Sequence, residues 1–183
     1  MRIIGGTHRS RKLETPKSDA VRPTSDKVRQ AVFNMLNSRG AVSGAIVIDA
    51  FCGTGALGLE ALSQGAKFCT FFDKNKNSID LCRANISALK EENNTKVMLQ
   101  DVTKVKSRID DVPPAELVFL DPPYRQQLVE QAVSALYEAD WLSKECVFVI
   151  ETAKDEALQS ELIQQGDEKI YGDTKIILVT LKS

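Results

Sequence analysis

The sequence predicts an α/β protein built on a doubly wound, mostly parallel sheet of seven strands that ends in an antiparallel hairpin, with a short basic hairpin or arm in front. Three observations predict it. From residue 45 onward, short apolar runs alternate with helical stretches, the pattern of parallel strands covered on both faces. A glycine-rich turn follows the first run, and Gly172-Asp173 joins the last two runs in a tight turn.

Taken in order, residues 1–24 form a basic arm in which Arg2-Ile3-Ile4 and Arg11-Lys12-Leu13 flank Gly5-Gly6-Thr7-His8. After Pro23, Thr24 or Ser25 caps a helix whose Val28, Ala31, Val32, Met35 and Leu36 share one face, with Asp26 near its positive start and Gly40 at its end. Strands are expected at Ala45–Ile48, Phe68–Phe72, Lys96–Leu99, Glu116–Leu120 and Cys146–Ile150, with a closing pair at Lys169–Tyr171 and Lys175–Leu181. The intervening helices run from about Gly55 to Gln64, Asn77 to Leu89 and Gln126 to Ala139; Val129, Ala132, Val133 and Leu136 give the last one its apolar stripe. No repeat or low-complexity linker interrupts the chain, so residues 25–183 are read as one domain. Trp141 is expected to pack against the sheet.

With 183 residues, 43% of them apolar and 27% charged, the chain is neither collagen-like nor a disordered polyelectrolyte. Its net charge of −1 conceals an asymmetry. Residues 1–39 hold nine Lys/Arg against three Asp/Glu, whereas residues 40–183 hold fifteen against twenty-two. A basic arm on an acidic body suits a polyanionic partner, or a merely solvated helix face. Cys52, Cys69, Cys82 and Cys146 lack CxxC spacing and His8 is the sole histidine, so a metal site is not expected. No run approaches the roughly 20 apolar residues needed to span a bilayer, and the start lacks a signal-peptide core. The expected setting is the cytoplasm, with no membrane partner and a monomer as the default.

The segment Ile46-Val47-Ile48-Asp49-Ala50-Phe51-Cys52-Gly53-Thr54-Gly55-Ala56-Leu57-Gly58 places glycines between a buried strand and a helix start, where backbone approaches a ligand and amides lack partners. It reads as a nucleoside site, the alternative being glycines kept for packing. Gly53, Gly55 and Gly58 also match a dinucleotide fingerprint, with Asp73 about twenty residues on. Against that, Asp49 would repel a pyrophosphate yet attract an ammonium; no Gly-Lys-Ser/Thr follows, which removes a P-loop. Asp73 can accept both hydroxyls of a ribose. Asp101 could accept from an adenine amine while Val102 packs on the ring.

Asp121-Pro122-Pro123-Tyr124 follows the fourth run. Two prolines fix φ and withhold two N–H donors, leaving carbonyl acceptors beside a carboxylate and a flat ring. An exocyclic base amine is a poor nucleophile because its lone pair is delocalised. Accepting both of its N–H bonds at Asp121 and the Pro122 carbonyl would favour a pyramidal nitrogen aimed at a sulfonium methyl, with positioning and electrostatics supplying the acceleration. In a sheet ordered 3-2-1-4-5, the two motifs face one crevice at the switch point.

The chain resembles the class I S-adenosylmethionine-dependent methyltransferases, and more closely the RsmD family of 16S ribosomal RNA guanine-N2 methyltransferases. The resemblance rests on Arg2-Ile3-Ile4-Gly5-Gly6, Arg11-Lys12-Leu13, Arg22-Pro23-Thr24, Val28-Arg29, Phe33-Asn34, the run Phe51 to Ala61, and Asp121-Pro122-Pro123-Tyr124. It implies a Rossmann-like fold with S-adenosyl-L-methionine held by Asp49, Phe51, Gly53 and Gly55. Asp73 and Lys74 would lie at the ribose, Asp101 and Val102 near the adenine, and Arg22 and Thr24 over the methionine end or the substrate. Asp121 to Tyr124 would hold a guanine whose 2-amino group is methylated. Arg9, Arg11, Lys12 and Arg29 would grip ribosomal RNA phosphates. His8 and Ser10 stand where the family more often has a larger aromatic or basic residue and a glycine, and Asp73 replaces the commoner glutamate.

Three other readings share parts of this pattern: an adenine-N6 methyltransferase acting on DNA or RNA, a glutamine side-chain methyltransferase, and a nucleotide-binding RNA adaptor without turnover. Asn-Pro-Pro-Tyr is the usual glutamine form, and an adaptor has no use for Asp121.

Overall fold

The computed structural model describes residues 1–16, 25–108, 111–164 and 166–182. The amino-terminal segment is a hairpin rather than an extended arm. Arg2 pairs antiparallel with Lys12, and the Ile3 amide donates to the Arg11 carbonyl at 3.0 Å while Ser10 donates back to Ile3 at 2.9 Å. Ile3 and Leu13 are buried among the core residues of the main sheet, which at about 1.5–3 kcal/mol for each large aliphatic side chain favours docking. Ser10 takes the left-handed φ of 68° that tightens the hairpin end.

Helix α1 (Asp26–Ser38) begins where Ser25 Oγ accepts the Val28 amide at 3.3 Å. There follow β1 (Ile46–Asp49), α2 (Ala56–Ser63), β2 (Phe68–Asp73), α3 (Lys76–Leu89) and β3 (Thr95–Leu99). The second half adds β4 (Ala115–Leu120), α4 (Leu128–Glu138), β5 (Leu142–Ala153), β6 (Asp167–Tyr171) and β7 (Thr174–Thr180). The sheet order is β3-β2-β1-β4-β5-β7-β6, parallel from β3 through β5. Strand β7 runs antiparallel between β5 and β6, turning at Gly172 with φ 63°. The chain leaves β1 towards β2 on one side and reaches β4 on the other, so the switch point lies between β1 and β4.

Alternation along the strands separates two cores. Val47, Phe71, Leu117 and Phe119 meet α1, α2 and α3; Ile48, Phe72, Val118 and Leu120 meet α4. Trp141 lies in the second core, edge-on to Phe72 at 5.2 Å, with its indole N–H donated to the Lys106 carbonyl at 2.8 Å. All four cysteines are buried and unpaired.

Several boundaries differ from the sequence reading, and two of them have a visible cause in the backbone. Strand β5 starts four residues before Cys146, because a register shift between Ala115 and Leu117 admits extra chain opposite β4. Helix α4 starts at Leu128 because Arg125 and Gln127 take left-handed φ values of 63° and 52°, conformations a helix cannot contain.

Candidate active site

The carboxyl ends of β3, β2, β1 and β4 form one continuous rim. Strand β1 ends at Asp49, and the next amide, Ala50, bonds the Phe119 carbonyl of β4 at 3.0 Å. Cys52 then donates to the Phe72 carbonyl of β2 at 2.9 Å, so the glycine turn is tied to both neighbouring strands.

The three glycines serve different ends. A Cβ on Gly58 would lie 2.4 Å from the Phe71 ring, and one on Gly55 2.7 Å from Cys82 Sγ. Those two glycines let α2 lie against β2 and α3, as the packing alternative holds. Gly53, at φ 52°, has nothing within 4 Å of where its Cβ would be. Its backbone therefore faces open space on the rim. Gly55 precedes α2 and carries no side chain to cap it, and Asp49 takes only the Gly58 amide of the first turn.

Carboxylates brace this turn. Asp73 Oδ2 accepts the Gly53 amide at 3.0 Å while its Oδ1 accepts Asn75 at 2.8 Å, placing an acid at the end of β2 against the open glycine. Lys74 beside it is exposed. Asp49 accepts the Gly58 amide at 2.9 Å. Burial raises its pKa from 3.8 to about 7, partly offset by that amide, with the nearby Asp73 charge adding to the rise. At the end of β3, Asp101 accepts both the hydroxyl and the amide of Thr103, at 2.7 and 3.0 Å. The Thr103 hydroxyl chiefly holds its pKa below the ordinary value. Val102 is buried next to it. An open glycine, a helix start with a glycine at its cap position and acids at three strand ends suit a nucleoside with a cationic substituent. Phe51, half-buried, lies in the same turn.

Across the switch point, Pro122 is buried, Asp121 half-buried and Tyr124 39% exposed at the rim. The Tyr124 hydroxyl donates to Glu151 Oε1 at 2.9 Å and lies 3.1 Å from Thr174 Oγ1. Its pKa is pushed up to about 12, first by burial, with Glu151 raising it and the Thr174 contact opposing. The ring is thus a neutral, tethered plate rather than a base. A hydrogen bond with Cys82 and burial push the Cys52 thiol well above its ordinary value, which leaves no thiolate for covalent attack on a base.

Of the residues expected at the four strand ends, Phe51, Gly53, Asp73, Lys74, Asp101 and the turn from Asp121 to Tyr124 reach the rim, whereas Gly55 is buried and Asp49 and Val102 lie beneath it, each 2% exposed. Arg22 and Thr24 lie outside the described residues. Arg9, Arg11 and Lys12 are exposed on the hairpin, and Arg11 also bonds the Ala88 carbonyl at 2.9 Å. Arg29 is a correction. Read from sequence as a phosphate contact, it is 1% exposed, 3.0 Å from Asp26, 3.6 Å from Glu60 and bonded to the Arg2 carbonyl. A side chain so enclosed holds the hairpin and has no surface left for a phosphate. His8 Nε2 lies 2.5 Å from Glu91 Oε1, fastening the hairpin to the residues after α3.

Sequence reasoning missed Glu60, Asn85 and Glu151. Glu60 left a trace, an acid inside the apolar run Leu57 to Leu62; the other two left none. Glu60 accepts the Ile4 and Gly5 amides, each at 2.8 Å, and so anchors the hairpin to the helix of the glycine turn.

Among the described residues, no group of three or more His, Cys, Asp or Glu could hold a metal ion, and no helix is long and apolar enough to cross a membrane.

The parallel sheet switching between β1 and β4, with a glycine turn and a proline-braced acid on one rim, is a Rossmann-like class I methyltransferase fold. Residues 1–180 match the family described as conserved hypothetical protein 95, and the chain belongs to this family, the RsmD family. It is 36% identical over 159 residues to the ribosomal RNA small subunit methyltransferase D of Haemophilus influenzae, covering 86% of this chain and 81% of that one. With the Escherichia coli K12 protein of that name it shares 35% over 158 residues, 86% and 77% of the two chains. The solved structure of the Escherichia coli protein yhhF superposes with a TM-score of 0.84 at 32% identity, covering 100% of this chain and 98% of that one.

Proposed function

We propose that the protein transfers a methyl group from S-adenosylmethionine to the exocyclic N2 amine of a guanine in small-subunit ribosomal RNA. The observation that carries this reading is the Asp121-Pro122-Pro123-Tyr124 turn at the end of β4, one strand from the open Gly53 on β1's turn. The names of the relatives support ribosomal RNA as the substrate.

S-adenosylmethionine, when bound, supplies an electrophilic methyl on a sulfonium. Gly53, Asp73 and Asp101 would hold its nucleoside, and Asp49, buried beneath the turn, would favour its ammonium through its charge and not by contact. Asp121 and the Pro122 carbonyl would accept the two N–H bonds of the target amine, turning its lone pair towards the methyl. Held at Asp121 and Pro122, the amine nitrogen would take the methyl while the S–C bonding pair stayed with sulfur. The nitrogen becomes acidic in that step, so its proton leaves to Asp121 or water without a strong base. Tyr124 would stack on the base, turned out of its helix or loop. Arg9, Arg11 and Lys12 would contact phosphates, so affinity should fall steeply with salt.

Transfer of labelled methyl groups to naked 16S rRNA, to assembled small subunits and to DNA, followed by nucleoside identification, tests the reading. N2-methylguanosine is the expected product; N6-methyladenine would replace the guanine assignment. Asp121→Ala should keep S-adenosylhomocysteine binding and lose turnover by about three orders of magnitude or more. Full activity in that variant overturns the mechanism.

A further inference from the structure

Asn85 interrupts the buried face of α3, where Ile79, Cys82, Ile86 and Leu89 otherwise face the core. It is 0% exposed, and a buried carboxamide is costly unless its hydrogen bonds are made. They are made, to two separate functional segments. Asn85 Oδ1 accepts the Glu14 amide at 2.7 Å and Nδ2 returns a bond to the Glu14 carbonyl at 3.1 Å, so the side chain pairs with that residue as a neighbouring strand would. The same Nδ2 donates to the Thr54 carbonyl at 2.9 Å.

Thr54 lies between Gly53 and Gly55, both at left-handed φ. The peptide joining Thr54 to Gly55 is held at both ends: its carbonyl by Asn85, and its N–H by the Cys52 carbonyl at 2.7 Å. Flanking glycines offer little steric resistance to rotation of that peptide, so the bond from Asn85 is a main determinant of which way it faces. Glu14 closes the hairpin, just past Leu13, whose amide bonds the Met1 carbonyl at 3.1 Å.

We propose that Asn85 is a positioning residue that locks the Thr54–Gly55 peptide of the cofactor turn to the chain leaving the hairpin, so that cofactor affinity depends on the hairpin being docked. This rests on the reading of the glycine turn as the S-adenosylmethionine site. A carboxamide meets all three demands at once. Aspartate keeps the acceptor for the Glu14 amide but sets an oxygen against two carbonyls; leucine of similar size satisfies none of them.

S-adenosylhomocysteine binding, followed by calorimetry on the full chain, tests the proposal. Asn85→Leu and Asn85→Asp should each weaken it about tenfold or more, and raise KM for S-adenosylmethionine in step, while kcat stays within about threefold because Asp121 to Tyr124 sit on β4. A purely structural role would lower the melting temperature and leave KM of the folded protein unchanged. Glu14→Pro approaches the same lock from the hairpin, deleting the amide proton that Asn85 accepts at an exposed position, and does not depend on whether the α3 variants fold. It too should weaken S-adenosylhomocysteine binding. Unchanged affinity in Glu14→Pro, or in either folded Asn85 variant, overturns the proposal. Failure of the unsubstituted protein to bind S-adenosylhomocysteine would instead overturn the cofactor reading itself.

Discussion

The Tyr124 hydroxyl is bonded to Glu151 Oε1 across 2.9 Å, linking the turn after β4 to the end of β5. The register sets Leu120 opposite Ile150, so Asp121 leaves the end of β4 beside Glu151, which is still within β5 and paired with Ile176 of β7. The ring proposed to stack on the target base is therefore oriented by strands β5 and β7, neither of which carries the Asp-Pro-Pro-Tyr sequence.

Tyr124→Phe keeps the plate and loses its tether. We expect kcat/KM for methyl transfer to fall about tenfold, the equivalent of one hydrogen bond of about 1.4 kcal/mol, whereas Tyr124→Ala should cost substantially more. If Glu151 acts through this hydroxyl, Glu151→Ala adds little in the Tyr124→Phe background. Additive losses in a double-mutant cycle would show an independent role for Glu151.

Asp49 predicts a pH signature. Its pKa is raised from 3.8 to about 7 in the fold. The native state thus binds the proton more tightly than the unfolded chain, and the associated stability is fully present below the unfolded value and lost as pH rises through about 7. That difference is on the order of 4 kcal/mol. Asp49→Asn should therefore be stabilised over the parent at about pH 8 and much less at about pH 5, read by urea unfolding at both. The same variant should bind S-adenosylhomocysteine more weakly, and the parent should release protons on binding near neutrality.

Glu60 is 0% exposed and receives two hairpin amides, the Gln64 carboxamide at 2.6 Å and the Arg29 guanidinium at 3.6 Å. Removing one partner of a buried pair leaves the other uncompensated, so Glu60→Ala should cost about 3–5 kcal/mol in denaturant unfolding. Amide exchange at Ile4 and Gly5 should accelerate. Unchanged exchange there would show that the hairpin is held by apolar contacts alone.

Ser10 occupies a left-handed position, φ 68°. A side chain at such a φ costs about 1 kcal/mol, partly recovered through the smaller conformational freedom of the unfolded chain. Ser10→Gly should raise stability by roughly 0.5 kcal/mol, measured by the shift in the urea midpoint. A loss of stability would mean that the serine side chain contributes more than its backbone strain.

Local pattern carried much of this structure. Apolar runs at the expected places became β1, β2 and β4 because burial on both faces leaves these strands few polar positions, whereas β6, polar and largely exposed, was found through the turn at Gly172 with its positive φ. Misplaced boundaries, at Leu142 and Leu128, came from a bulge and two left-handed residues that composition does not reveal. In the site, Gly53 and the Asp121 turn were legible because backbone freedom and proline rigidity are properties of the residues themselves.

What the chain alone determined is the alternation of strand and helix and the chemistry at each strand end, since both follow from residue type and short spacing. Tertiary structure alone decided that Arg29 faces Glu60 instead of solvent, that Asn85 joins Thr54 to Glu14, and that Glu151 holds Tyr124. Each depends on segments brought together from 27 to 71 residues apart. A buried polar group takes whatever partner the fold delivers, because leaving it unpaired costs more than almost any local preference.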